Sequence, residues 1–143
     1  MSHRLIRDVL TTRKPLSAPP KTSVAEASRL MKKEHVGALM IVEGGRLTGI
    51  FTERDAVFRV LAESRDPKST TIGDVMTAKP QTITPDKVVG HALLLMYEGG
   101  FRHVPVVERG KPIGMISARD ALGPELAEFQ SEVMHREHLR EII

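Results

Sequence analysis

The chain has 143 residues, of which 41% are hydrophobic and 27% charged, and its formal net charge is +3. These values are typical of a globular protein of one domain or two small ones, and they exclude a disordered chain. The absence of cysteine excludes disulfide scaffolds, cysteine-ligated zinc and thiol catalysis. No apolar run is long enough to span a bilayer, and the start lacks the apolar core of a signal peptide, so we expect a cytoplasmic protein.

The first half of the chain predicts an extended segment, a helix, a hairpin and a second helix. A short extended segment lies at 16–18, and the capping box Ser23-x-x-Glu26 then begins a helix with apolar residues at helical spacing. The apolar runs 39–42 and 47–51 flank the turn signal Gly44-Gly45, which predicts a β-hairpin. The next helix begins at Thr52 and carries Ala56, Val57, Val60 and Leu61 on one face.

The second half predicts the same elements in the same order. After an extended segment at 81–83, Asp86 is predicted to cap a helix whose apolar residues lie between 88 and 96. The runs 104–107 and 112–116 flank the turn Arg109-Gly110, and a helix begins at Ser117. Gly123-Pro124 ends that helix after little more than a turn.

The two halves are copies of one unit. A shift of 65 residues aligns GIFTERD at 49–55 with GMISARD at 114–120, and I-x-D-V-[L/M] segments open each copy at 6–10 and 72–76. We therefore predict repeats at 1–64 and 72–122, a polar linker at 65–71 and a tail at 123–143. A unit this short buries too little surface to be stable alone, so the copies are expected to share a core.

The repeated motif is Gly-h-h-[Ser/Thr]-x-Arg-Asp, where h is hydrophobic. Thr52 with Asp55, and Ser117 with Asp120, have the spacing of a helix N-cap with an acidic third residue, and capping alone would explain them. Ligand binding is the alternative, because a helix N-terminus, a hydroxyl and a guanidinium can hold phosphate while an aspartate accepts hydrogen bonds from a ribose diol. Both interpretations remain open for these four residues.

The arginines of the motif favour ligand binding. Arg54 and Arg119 lie in the first helical turn, where the helix dipole disfavours a cation, yet an arginine occurs there in both copies. Its recurrence suggests an anion nearby, so the motif predicts a nucleotide in each copy.

Together these patterns resemble a tandem pair of cystathionine-β-synthase (CBS) domains over residues 6–122. The resemblance is carried by both motifs, by I-R-D-V-L and I-G-D-V-M, by Lys14-Pro15 and Lys79-Pro80, and by R-H-V-P-V-V at 102–107. It implies an α+β fold of two β-α-β-β-α units packed through their sheets with pseudo-two-fold symmetry, to which this chain adds a C-terminal amphipathic helix. It also implies two clefts that bind AMP, ADP or ATP, with NAD and S-adenosylmethionine as related ligands.

The resemblance assigns candidate roles residue by residue. The two aspartates match a ribose-binding acid, the Ser/Thr hydroxyls lie near phosphate or ribose, the arginines fall on a variable position, and the extended segments present their backbone to the adenine edge. Arg102 and His103 match basic residues that face phosphate, whereas the first copy has Gly37 and Ala38 there, so the copies are unequal. The candidate ligand-binding residues are Ser17, Ala18, Thr52, Arg54, Asp55, Thr82, Ile83, Arg102, His103, Pro105, Ser117, Arg119 and Asp120.

These features predict a non-catalytic regulatory module that senses an adenosine nucleotide and acts on a protein partner. The sequence has no Ser-His-Asp set, metal cluster or Walker loop, so we expect no enzyme, no catalytic cofactor and no metal site. The low charge and scarce aromatics do not favour nucleic acid as the partner. The alternative is an interaction or assembly module whose clefts no longer bind a ligand.

The tail predicts a homodimer. Leu126, Phe129, Val133 and Met134 form an apolar stripe that needs a surface to cover, and CBS-like pairs dimerise through the helices that follow each motif. The tail carries five Glu and two Arg, so it would be attracted to the positive remainder of the chain. Packing of the tail against its own pair remains the alternative.

Overall fold

The computed structural model describes residues 4–10, 15–123 and 131–137 and confirms an α+β fold. Its elements are α1 (Ile6–Val9), β1 (Ser17–Ala18), α2 (Val24–Glu34), β2 (Ala38–Glu43), β3 (Arg46–Thr52), α3 (Glu53–Asp55), a π-helix (Ala56–Leu61), α4 (Ile72–Val75), β4 (Thr77–Ala78), α5 (Val89–Gly99), β5 (His103–Glu108), β6 (Lys111–Ser117) and α6 (Ala118–Ala121). Residues 131–137 form the predicted C-terminal helix, whereas Leu126 and Phe129 lie outside the described residues. None of the helices in the described ranges is long and apolar enough to cross a membrane.

The strands form two sheets with matching hairpins. The first sheet has the order β1-β2-β3-β4, and the second consists of β5 and β6, with one parallel bridge from Ile83 to β5. In the first hairpin Ala38 lies opposite Thr52, and in the second His103 lies opposite Ser117. The hydroxyl residue of each motif therefore lies beside the first residue of the preceding strand, and β3 and β6 bring the two sheets into contact.

Each hydrophobic core contains a segment from the other repeat. The core of the first unit includes Leu39 and Phe51 together with Ile72 of α4, whereas the core of the second includes Val104 together with Ile6 of α1. Ile6 and Ile72 are completely buried. The short helix that opens each repeat in the sequence thus packs in the core of the opposite unit, and we call α1 and α4, each with the two residues before it, the exchanged segments (4–9 and 70–75).

Backbone hydrogen bonds hold the exchanged segments in place. Each exchanged segment donates one hydrogen bond to the opposite unit. It also accepts one from the first N–H of the long helix of that unit, α5 or α2. The four bonds run from Ile6 N–H to the Lys87 carbonyl, Val89 N–H to the Arg4 carbonyl, Ile72 N–H to the Thr22 carbonyl and Val24 N–H to the Thr70 carbonyl, at 2.8–2.9 Å. The exchanged segments therefore satisfy N–H groups that a helix cannot satisfy internally.

The predicted cap at Asp86 is wrong. Helix α5 begins at Val89, and its N-cap, Val88, makes no side-chain capping bond. The Asp86 carboxylate instead accepts a hydrogen bond from Thr84, and this bond lowers the pKa of Asp86. The backbone of the exchanged segment α1 supplies the acceptor that Asp86 was expected to provide. Ser23, by contrast, caps α2 and accepts from the N–H of Glu26 at 3.1 Å.

The helix after the first motif is π-helical, which alters its predicted apolar face. Val60 is buried, but Val57 and Leu61 are 47% and 68% exposed. A π-helix bonds residue i to i+5 and therefore has more residues per turn than an α-helix, so its successive turns are rotated relative to the predicted α-helical face. Only part of the predicted apolar face is therefore buried within the chain, and Val57 and Leu61 remain exposed.

Candidate functional site

A cleft of about 1490 Å³ lies between the two units. The first unit contributes β1, the C-terminal end of α2 and the start of α3, and the second contributes the start of β5, part of β6 and α6. The residues of the predicted site that line this cleft are Ser17, Arg102, His103, Ser117, Arg119 and Asp120.

The other predicted residues lie away from this cleft. Ala18, Ile83 and Pro105 are buried in the two units. The N–H of Ile83 donates to the carbonyl of Pro105 at 3.1 Å, and the N–H of Val107 donates to the carbonyl of Ile83 at 2.9 Å. Both backbone groups of Ile83 are thus used within the second sheet. Thr82 is exposed, and a ligand role for these residues stays a prediction.

Both motifs form the same capping box. The N–H of Asp55 donates to Thr52 Oγ1 at 3.2 Å, and the N–H of Thr52 donates to Asp55 Oδ2 at 3.0 Å. In the second copy the N–H of Asp120 donates to Ser117 Oγ at 3.1 Å, and the N–H of Ser117 donates to Asp120 Oδ2 at 3.3 Å. The capping interpretation is therefore confirmed in both copies, and a ligand role must rest on what else surrounds each carboxylate.

Asp55 is enclosed by its own unit. It is only 7% exposed, and its Oδ2 also accepts from the Thr52 hydroxyl at 3.2 Å. Its Oδ1 lies 3.6 Å from Nε of Arg59, which donates through Nη1 to the carbonyl oxygens of Val75 and Met76 at 3.2 and 2.9 Å. Both oxygens of the Asp55 carboxylate thus have partners within the first unit.

Asp120 has a different environment. It is exposed and lines the cleft. The 65-residue shift pairs Arg59 with Pro124, which carries no charge, so the sequence of the second copy does not repeat the arginine that pairs with Asp55. The two arginines of the motif differ likewise, because Arg54 lies over the Phe58 ring, 5.3 Å from its centroid, whereas Arg119 lines the cleft. The hydroxyl, guanidinium and carboxylate residues of the second motif therefore all line the cleft.

Charged residues of both signs meet in the cleft. Its cationic lining residues are Lys32, Arg102 and Arg119, and its acidic ones are Glu34, Glu53 and Asp120. Burial lowers the pKa of His103, while the carboxylates of Glu53 and Asp120 act in the opposite direction. Because burial is the largest cause, the neutral form of His103 is favoured, and the formal charges of the described lining residues balance.

Glu53 is a cleft residue that the sequence analysis did not identify. It is the first residue of α3, and its N–H donates to the carbonyl of Gly37 at 3.0 Å. In the second copy the N–H of Ala118 donates to the carbonyl of Arg102 at 2.8 Å. Aligning the copies would have revealed Glu53 as a charge that replaces an alanine next to the motif's hydroxyl residue.

Comparison with known proteins identifies relatives of both repeats. The sequence model of the CBS domain matches residues 6–62 and 72–123. The CBS domain-containing protein CBSX3, mitochondrial, of Arabidopsis thaliana is 36% identical over 116 residues, which make up 78% of this chain and 56% of that protein. The chain thus spans about half the length of that relative. The CBS domain-containing protein YhcV of Bacillus subtilis is 32% identical over 115 residues, covering 80% of this chain and 81% of that protein.

Solved structures have the same fold. A protein with CBS domains from Burkholderia ambifaria superposes with a TM-score of 0.81 at 31% identity, covering 86% of this chain and 94% of that chain. The CBS domain protein PAE2072 from Pyrobaculum aerophilum, solved with AMP, gives a TM-score of 0.74 at 26% identity over 81% and 88% of the chains. The CBS domain pair of protein MJ0100, solved with 5′-methylthioadenosine and S-adenosyl-L-methionine, gives 0.75 at 29% identity over 83% and 93%.

Proposed function

Since this chain belongs to the CBS domain family, we propose that it is a non-catalytic regulatory module that binds an adenosine nucleotide in the cleft lined by Asp120. The Asp120 carboxylate accepts hydrogen bonds from the ribose hydroxyls, and Ser117, Arg119 and Arg102 face the phosphate. The observation that carries the proposal is the exposure of Asp120 within the cleft, in contrast to the enclosure of Asp55 by Arg59.

The relatives support this class of ligand. PAE2072 was solved with AMP, and MJ0100 with two adenosine derivatives that carry no phosphate. A carboxylate can bind the ribose diol that all three ligands share, whereas arginines beside it distinguish a phosphate from an uncharged 5′ group. We propose that AMP, ADP or ATP binds here, with NAD and S-adenosylmethionine as the related ligands to be tested beside them.

A thermal-shift panel tests the proposal. The panel contains adenosine, AMP, ADP, ATP, NAD and S-adenosylmethionine, with GMP as the control for the base. A ligand at 100 times its Kd stabilises the folded state by about 2.7 kcal/mol, which raises the Tm by roughly 10 °C for a chain of this size. If no adenosine compound raises the Tm or binds in calorimetry, nucleotide sensing is refuted.

We also propose a homodimer that acts on a protein partner. The side chains of Val57, Phe58 and Leu61 on the π-helix are 47%, 56% and 68% exposed, and Met134 in the C-terminal helix is 69% exposed. Exposed apolar groups of this kind mark protein contacts. The same observation supports the second candidate function, an assembly module without a ligand, which a full ligand panel with no response would favour. The cytoplasmic location stays a prediction.

A further inference from the structure

The two copies place charges of opposite sign at equivalent junctions between strand and helix. The hydrogen bond from the first helical N–H to the residue before the strand is the same in both, but its residues are Glu53 and Gly37 in the first copy and Ala118 and Arg102 in the second. Each junction thus combines one long charged side chain with one small residue. Gly37 leaves room for the Glu53 side chain, because a Cβ at position 37 would lie 3.0 Å from Oε1 of Glu53.

The side chains of Glu53 and Arg102 line the same cleft, although they come from different units. Both side chains act on the pKa of His103: the Glu53 carboxylate raises it, and the Arg102 guanidinium lowers it. Glu53 therefore lies within electrostatic reach of the basic residues that would receive a phosphate. Without a ligand its negative charge partly neutralises theirs, and a bound phosphate meets both attraction and repulsion.

Resting on the proposed function, we propose that Glu53 makes this cleft selective for adenosine ligands with no more than one phosphate. The described lining residues supply three cations and three acids, so these residues leave no surplus of positive charge for a second or third phosphate. Arg102 and Arg119 can pair with the phosphate of AMP. Each further phosphate adds negative charge near Glu53 without adding a cation from the described residues, and this repulsion is strongest at low ionic strength.

The experiment compares the Kd values of adenosine, AMP and ATP by calorimetry for the wild type and Glu53→Gln. Mg²⁺ is left out because it would neutralise the phosphates. We expect the wild type to bind AMP at least tenfold more tightly than ATP. In Glu53→Gln the Kd for ATP should fall tenfold or more, equivalent to about 1.4 kcal/mol, while that for AMP falls threefold at most and that for adenosine is unchanged.

Two further variants separate a local effect from simple loss of charge. Glu53→Ala gives the first copy the residue that the second already has at Ala118, and it should shift selectivity towards ATP in the same way as Glu53→Gln. Glu108→Gln removes an exposed carboxylate at the end of β5, outside the cleft, and should change no Kd more than twofold.

The outcomes distinguish this inference from the function on which it rests. If AMP binds but the ratio of the ATP and AMP Kd values is the same in the wild type and Glu53→Gln, the selectivity role is refuted and the nucleotide module stands. If Glu108→Gln shifts the ratio as much as Glu53→Gln, net charge and not Glu53 is responsible. If adenosine, AMP and ATP all fail to bind the wild type, the proposed function and this inference fall together.

Discussion

Replacing Asp120 by alanine should weaken nucleotide binding while leaving the fold nearly intact, and the equivalent change at Asp55 should do the reverse. Asp120 is exposed, and its carboxylate accepts the N–H of Ser117 at 3.3 Å within a capping box. Losing that bond and the acidic charge in the first helical turn should lower the free energy of unfolding by only about 0.5–1 kcal/mol. The charge-assisted hydrogen bonds to ribose are worth roughly 1.5–3 kcal/mol, so the Kd for AMP should rise about 10- to 150-fold.

Asp55 provides the matched comparison, because the sequence gives it the same motif. Its carboxylate is 7% exposed, accepts from both the N–H and the hydroxyl of Thr52, and pairs with Arg59. Truncation leaves those donors without their buried acceptor, so Asp55→Ala should lower the free energy of unfolding by about 2–4 kcal/mol. Its effect on the AMP Kd at the Asp120 cleft should be less than threefold.

Urea unfolding and calorimetry with AMP measure both quantities for the two variants. Asp120→Ala should lose mainly affinity for AMP, and Asp55→Ala should lose mainly free energy of unfolding. The reasoning is refuted if Asp120→Ala loses as much stability as Asp55→Ala and keeps full affinity for AMP, because Asp120 would then be only a cap.

Three further predictions concern pH, the exchanged segments and assembly. Because burial lowers the pKa of His103, AMP affinity should be flat from pH 8 down to about 6.5 and rise only below that, and His103→Gln should remove the rise. The unfolded chain takes up the His103 proton more readily than the folded one, so the free energy of unfolding should also fall with acidification, less so in His103→Gln, as urea titrations will show. Ile6→Ala should lower the free energy of unfolding by about 2–5 kcal/mol and reduce amide-exchange protection at Val104 more than at Leu39. A greater loss of protection at Leu39 would contradict the placement of Ile6 in the core of the second unit. Leu61→Asp should convert a dimer to a monomer in light scattering without lowering the Tm, since this side chain is 68% exposed; a monomeric wild type would rule out the homodimer.

The repeat and its local elements could be predicted because they depend on short-range patterns. The hairpins follow from apolar runs around turn residues, and both capping boxes follow from a hydroxyl and an acid three residues apart. The failure at Asp86 has a tertiary cause. An acid near the start of a helix looks like a cap, but α5 obtains its acceptor from the carbonyl of Arg4, far away in the sequence.

The inequality of the two aspartates was partly accessible from the sequence. Arg59 and Pro124 occupy equivalent positions after the motif, and that difference is visible in the alignment of the copies. What the alignment lacks is the position of Arg59 against the carbonyls of Val75 and Met76, which fixes the guanidinium beside Asp55. Leu5, Ile6, Val9 and Leu10 form an apolar stripe at α1 that likewise predicts burial. It does not indicate which core receives them, because periodicity reports a buried face and not its neighbour.

The exchanged segments also govern the order in which the chain can acquire its structure. The guanidinium of Arg4 donates to the carbonyl of Ala121, a separation of 117 residues, so this contact cannot form until the second repeat has been made. The core around Phe51 stays incomplete until Ile72 has been made, and a nick in 65–71 would leave each fragment with a helix that belongs to the other. Contacts of such long range slow folding, and each half needs a helix from the other to complete its core.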